Sequence, residues 1–312
     1  MNASDVINKI TRRKRGQVPF VRYVSGKDEL LAQKLRWCGS LLQFREWLNH
    51  GESRLINANF CKKHLLCPWC AHRRGLKSLG KYLVKAESIM QEMPELHPLM
   101  VTLTNRNGQD LVERVGHYKE SMKNMNAAAR KAKSNPAKNL PLEWNKLAGA
   151  LTAVEVTNKN QGKGWHVHSH TFALATEWID REKLSQELER FTGDSFIVDV
   201  RLCKNGIIRG LCEVLKYALK PGSLTNEQTW QAHLALAGKR LLNPAGLFRG
   251  VLVGDIDQDE LPDLDGPTRD FLALWMFGEQ KYTLRDLQPE EFMTRQQEAE
   301  FACQIAFGQK RS

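Results

Sequence analysis

Two alternating runs flank a short turn near the middle of the chain and leave little choice of local fold. Gly149 to Thr157 and Gly164 to Ala175 read as strands, and Asn158-Lys-Asn-Gln-Gly-Lys163 between them is turn chemistry. Side chains on a strand alternate faces, so His166, His168 and His170 share one face. Centring a simple hairpin between Gln161 and Gly162 places Glu155 opposite His168. Directly opposed residues in an antiparallel pair lie within about 5 Å at Cβ. Two imidazoles and a carboxylate then converge, a donor set that suits Mg²⁺ or Mn²⁺ with water and phosphate completing the shell. A lone His-x-His also fits histidines that merely pack or face water; the opposed carboxylate argues for metal.

A second segment, Glu213-Val-Leu-Lys216-Tyr217-Ala-Leu-Lys220, spaces Glu213, Lys216, Tyr217 and Lys220 along one side of a helix. Leu211, Leu215, Ala218 and Leu219 make the same helix amphipathic, so Tyr217 also fits a core aromatic. The charged neighbours favour chemistry. A phenol has a pKa of about 10 and needs help to attack. A divalent ion polarises a phosphoryl group, and Lys216 or Lys220 can stabilise the phenolate and the developing charge. Attack by Tyr217 on a phosphodiester gives a covalent phosphotyrosine. Glu213, one turn earlier, is placed to act as general base for a water that releases it.

Around these segments the periodicity predicts helix over 73–93, strand over 99–104, helix over 111–133, a helix capped by Asp180, and strand over 196–202. The fold class that follows is α+β, a ferredoxin-like βαββαβ antiparallel sheet. The expected organisation is a basic, loose segment over 1–35, a metal-binding module with a basic helix over 36–93, the catalytic sheet over 94–222, and a helical, acidic part over 223–312. Asp255-Ile-Asp-Gln-Asp-Glu260 lacks the glycine of a calcium loop and reads as a solvated acidic loop. Lys77, Lys81 and Lys85 form a stripe that fits phosphate contact as well as a solvated face.

Seven cysteines without a secretory leader argue for thiols or metal. Cys61-Lys-Lys-His-Leu-Leu-Cys67-Pro-Trp-Cys70 with Cys38 upstream gives four thiolates for a structural zinc, with His64 or His72 as substitutes for Cys38. Net charge is +11. Residues 1–90 hold 18 Lys/Arg against 6 Asp/Glu, a balance of +12, while residues 223–312 hold 9 against 14, or −5. So basic an N-terminal third points to a polyanion, nucleic acid first. No apolar run approaches a membrane span, and the expected compartment is the cytoplasm.

These motifs, in this order, resemble the rolling-circle plasmid replication initiators of the HUH endonuclease superfamily, in particular the group with one catalytic Tyr and a nearby catalytic Glu. The resemblance runs from about residue 38 to 250. It is carried by Cys38, Phe60-Cys61 through Cys67-Pro-Trp-Cys70, Arg73-Arg74, Met100-Val-Thr-Leu-Thr104, Glu155-Val-Thr157, Trp165 to His170, the Glu213–Tyr217–Lys220 pattern, Gly238-Lys-Arg-Leu241 and Gly246-Leu-Phe-Arg-Gly250. It implies that His168 and His170 are metal ligands with His166 an extra, that Tyr217 is the nicking nucleophile, and that Glu213 activates water for termination. It further implies nicking of one strand at a plasmid double-strand origin, a 5′-phosphotyrosine, and a free 3′-OH for rolling-circle DNA replication. The partners implied are the duplex origin, the single-stranded nick site, and host helicase and polymerase; a homo-oligomer is left open. Two rival readings are an HUH transposase or relaxase with the same chemistry, and a zinc-containing DNA-binding regulator without catalysis.

Overall fold

The computed structural model describes residues 3–158, 162, 164–204, 206–215 and 224–287. In chain order these form α1 (Ala3–Ser25), α2 (Glu29–Trp37), β1 (Leu41–Trp47), β2 (Glu52–Ala58), α3 (Pro68–Glu92), β3 (His97–Thr104) and α4 (Leu111–Ser134). A 3₁₀ turn (Glu143–Lys146) leads into β4 (Leu147–Thr157), β5 (His166–Ala175), α5 (Arg181–Thr192), β6 (Ile197–Leu202) and α6 (Ile207–Val214). Then come α7 (Asn226–Leu236), β7 (Leu242–Gly246), β8 (Thr268–Met276) and β9 (Lys281–Asp286). The chain is α+β with antiparallel sheets. It divides into two compact units, Met1–Arg74 with Gly254–Ser312, and Gly75–Val253.

The Gly75–Val253 unit holds a five-stranded sheet in the order β6-β3-β5-β4-β7. Its β4–β5 ladder pairs Glu155 with His168 and Thr157 with His166, as the hairpin arithmetic requires. One sheet face carries Met100, Leu151, Phe172 and Leu174, packed with Tyr82, Ala86 and Ile89 of α3, Leu211 and Val214 of α6, and Phe248. Phe172 and Phe248 are fully buried, and removing either ring costs about 3–5 kcal/mol. The other face is covered by α4, whose buried Tyr118 packs beside Ser169. Asp110 and Asp180 cap α4 and α5 by accepting from the first amides of each helix.

The unit that joins both ends of the chain contains the sheet β2-β1-β8-β9. Three expectations change here. Residues 1–35, expected to be loose, are mostly helical: Ile7, Ile10, Val21 and Val24 form a buried stripe on α1 that its many charges obscure. The part after residue 223, expected to be helical, has α7 as its single helix among the described residues and contributes three strands. Phe271 to Trp275 is a continuous buried run because β8 pairs on both sides, with β1 and β9, and a run without alternation hides its period. The acidic loop is not simply solvated. Lys62 holds Asp255 and Asp257, Arg73 holds Asp259, and Asp259 also accepts from the Leu55 amide.

Candidate metal centres

Both neighbours of β5 aim side chains at its histidines. Glu155 on β4 stands opposite His168, and Thr102 on β3 stands opposite His170. Glu155 Oε2 lies 3.6 Å from His168 Nε2 and 3.4 Å from His170 Nε2. One ligand atom from each of the three residues falls within a cluster no wider than 4.8 Å. Glu155 and His168 are buried, and His170 is half-buried. Burying a carboxylate this deeply costs several kcal/mol unless positive charge or donors meet it.

Thr102 Oγ1 lies 3.1 Å from His170 Nδ1. A proton on Nδ1 donated to that hydroxyl oxygen leaves the Nε2 lone pair facing Glu155. His168 Nδ1 is buried without a hydrogen-bond partner among the described residues. Two donor atoms held about 2.1 Å from one small cation, at octahedral to tetrahedral angles, stand about 3.0–3.4 Å apart. The observed 3.4 Å and 3.6 Å lie at the wide end of that range and just beyond it, so a small inward shift lets these three residues close on a divalent ion.

His166 stands beside this trio rather than in it. Its ring centroid is 4.7 Å from that of His168, and its Nδ1 lies 2.8 Å from Asn107 Oδ1. Amide oxygen only accepts, so Nδ1 carries the proton and donates. Burial first, and the neighbouring His168 second, hold the His166 pKa below the usual imidazole value.

α6 approaches the same sheet face. A Cβ at Gly210 would lie 2.8 Å from Phe172 Cδ2 and 3.0 Å from Cys203 Sγ, so only glycine lets the helix seat this closely. Glu213, half-buried, pairs with Arg201 of β6 at 2.8 Å. Arg201 pairs in register with Met100, which puts both on the metal-bearing face. Lys216, Tyr217 and Lys220 lie outside the described residues.

The second cluster belongs to the other unit. Cys38 caps the end of α2, Cys61 follows β2, and Cys67 and Cys70 flank the start of α3. Cys38 Sγ lies 3.5 Å from Cys67 Sγ and 3.4 Å from Cys70 Sγ, while Cys61 and Cys70 are 3.6 Å apart. A disulfide needs about 2.05 Å. Four sulfurs about 2.3 Å from a tetrahedral ion are separated by about 3.8 Å, so the arrangement fits a shared cation. The Cys61 amide donates to Cys38 Sγ at 3.3 Å, and the N-terminus of α3 favours thiolate on Cys67. Hydrogen bonds from Cys38, Cys61 and Cys70 hold Cys67 well below the ordinary thiol range, while the thiol of Cys38 is pushed well above it. Neither His64 nor His72 joins the group; His64 Nδ1 lies 3.3 Å from an Arg74 guanidinium nitrogen.

Thr102, Asn107 and Arg201 were not singled out by sequence. Thr102 sits inside the alternating Met100–Thr104 strand, and its phase relative to His170 could have found it. The partnership of Arg201 with Glu213 depends on strand order and left no sequence signal.

Among the described residues no helix is long and apolar enough to cross a membrane. A family model for replication proteins, Rep_1, matches residues 52–271, more than half of the chain. The chain is 26% identical over 293 residues to a protein named Protein rep from Streptococcus pneumoniae serotype 2 (strain D39 / NCTC 7466), covering 84% of this chain and 86% of that one. It is 24% identical over 291 residues to a Protein rep of Bacillus sp, covering 79% and 90%. A Protein rep of Lactiplantibacillus plantarum is 25% identical over 312 residues, covering 86% and 93%. No solved structure matches the chain.

Proposed function

The chain belongs to the Rep_1 family of replication proteins, and we propose that it initiates rolling-circle replication by nicking one strand of a plasmid origin. The observation that carries this reading is the convergence of Glu155, His168 and His170 on the sheet face that α6 packs against. Two buried donors and a half-buried third, drawn together in one cluster, suit phosphodiester chemistry, and α6, which precedes Tyr217 in the chain, is seated on the same face.

Glu155, His168 and His170 would hold Mg²⁺ or Mn²⁺, which would supply charge neutralisation and polarisation at the scissile phosphate. Thr102 accepts from His170 Nδ1 in the tautomer whose Nε2 faces the ion. Tyr217 attacks phosphorus through its phenolic oxygen, the bond to the 3′-oxygen breaks, and that oxygen leaves as the 3′-OH after taking a proton. Lys216 and Lys220 stabilise the phenolate and the charge on the phosphoryl oxygens. Glu213 takes a proton from water, and the hydroxide attacks phosphorus as the bond to the Tyr217 oxygen breaks, leaving a 5′-phosphate and a phenolate that takes up a proton. Arg201 holds Glu213 toward β6 before that step. The four cysteines would hold a structural zinc, which would fix the ends of α2 and β2 and the start of α3.

The deciding experiment incubates the protein with single-stranded origin DNA labelled on the 5′-phosphate side of the nick, with Mn²⁺. A labelled covalent adduct is expected from the wild type and none from Tyr217→Phe, which removes one oxygen and little volume. A regulator without catalysis gives no adduct from either, and an adduct that persists in Tyr217→Phe rejects the nucleophile.

A further inference from the structure

On the sheet face away from the metal centre, α4 and the β4–β7 edge enclose a groove of about 480 Å³. Its floor is Ala150, Thr152 and Val154, the β4 residues that alternate with Leu151, Ala153 and Glu155 of the metal-bearing face. Its walls carry Lys119, Lys123, Arg130 and Lys133 from α4 and Arg249 from the segment after β7. No carboxylate lines it. Among the described residues Arg130 and Arg249 have no carboxylate partner, and the Lys123–Glu120 pair is solvent-exposed and so weak.

Five cations around one groove repel one another, and among the described residues only the exposed Lys123–Glu120 pair and a hydrogen bond from Lys133 to the Leu147 carbonyl offset them. Lys119 is half-buried, and burial first, with Lys239 beside it, lowers its pKa. The α4 cations recur at positions 119, 123, 130 and 133, one side of a helix, and span about 21 Å at about 1.5 Å per residue. Duplex DNA presents phosphates continuously along each strand, so a stripe of this length lies beside several of them. A site for single-stranded DNA would add aromatic faces for base stacking. Here the aromatic rings at the groove, Tyr118 and Trp144, are buried with their faces covered.

We propose that this groove grips one sugar–phosphate strand of duplex DNA, so that the central sheet holds duplex on one face and carries the nicking centre on the other. Its identification of the polyanion as DNA rests on the function proposed above. The contacts run to phosphates, and recognition here is independent of base sequence.

The test measures binding of a mixed-sequence duplex longer than the stripe, without added divalent metal, as a function of salt. Lys123→Gln/Arg130→Gln/Lys133→Gln should lower low-salt affinity at least tenfold. It should also reduce the slope of log K against log salt by up to about 2.7, at about 0.9 per phosphate lost. Lys138→Gln/Lys183→Gln/Arg190→Gln removes the same charge outside the groove and should move the slope by less than half as much. Thermal unfolding of both variants checks that each is folded. Wild-type slope in the first variant, or equal losses in both, overturns the groove assignment. Covalent adduct formation by the wild type, assayed separately on single-stranded DNA, tests the nicking reading without touching this one.

Discussion

Thr102 Oγ1 stands 3.1 Å from His170 Nδ1, directly across the β3–β5 ladder. The hydroxyl can accept a proton from Nδ1, the arrangement that leaves Nε2 open to metal. Thr102→Val keeps the shape and removes the acceptor. Mn²⁺ affinity should fall by about 10–100-fold with the fold intact, read by calorimetry. Unchanged affinity would show that the bond is incidental.

Removing a ligand outright should do more. His168→Ala, His170→Ala and Glu155→Ala should each abolish measurable Mn²⁺ binding and nicking, while His166→Ala, outside the trio, should retain both. If His166→Ala were the damaging change and His170→Ala harmless, the ligand set would need redrawing.

Glu213→Gln should separate initiation from release. Gln keeps the size but takes no proton from water, so covalent protein–DNA should accumulate on a gel while the first nick proceeds. Arg201→Gln frees the carboxylate from its ion pair and should leave release at least as fast. Equal release by Glu213→Gln and wild type would reduce Glu213 to an ion-pair partner of Arg201.

Elemental analysis should find one zinc per chain, lost in Cys67→Ser/Cys70→Ser. Thermal unfolding of the variant should show the loss in the unit that contains β1, β2 and β8, because the cysteines tie together the segments on either side of β1–β2. Zinc retained by the double variant would place the ion elsewhere.

Arg114 crosses from α4 to Asp194, at 2.9 Å, in the turn between α5 and β6. Burial alone would raise the Asp194 pKa, but hydrogen bonds from Arg114 and Ser195 outweigh it and hold the carboxyl below its ordinary 3.8. A carboxylate depressed in the folded state contributes stability above its unfolded pKa, and that contribution is lost as pH falls through the folded value. Asp194→Asn should therefore cost about 1–3 kcal/mol at neutral pH, and the gap to wild type should narrow below about pH 4. Urea midpoints at several pH values measure this; a gap independent of pH would exclude the pair as its source.

How far the sequence reaches is clearest at Glu155. Period-two alternation and a short turn were enough to place it opposite His168, because strand pairing within a hairpin is local. The four cysteines were legible for a similar reason, since three of them fall within ten residues. Arg201 was not legible: its meeting with Glu213 requires β6 to lie beside β3, a long-range choice. The same holds for β8, whose apolar run has no period to read until β1 and β9 flank it. α1 was obscured by its charge, because Ile7, Ile10, Val21 and Val24 are interrupted by basic residues, one of which, Lys14, lies on the same side and donates to the Arg36 and Cys38 carbonyls.

The pairing of β1 with β8 has a consequence in time. A ribosome making about 5–20 residues per second finishes β1 roughly 10–40 s before it reaches β8. Throughout that interval one edge of β1 lacks its eventual neighbour, and an unpaired edge is a template for other chains. All four cysteines, by contrast, emerge within 33 residues of one another, from Cys38 to Cys70. An ion captured at that stage would close the β1–β2 segment at both ends while the rest of the chain is still being made. Zinc supply during synthesis, rather than afterwards, should then set the yield of soluble protein.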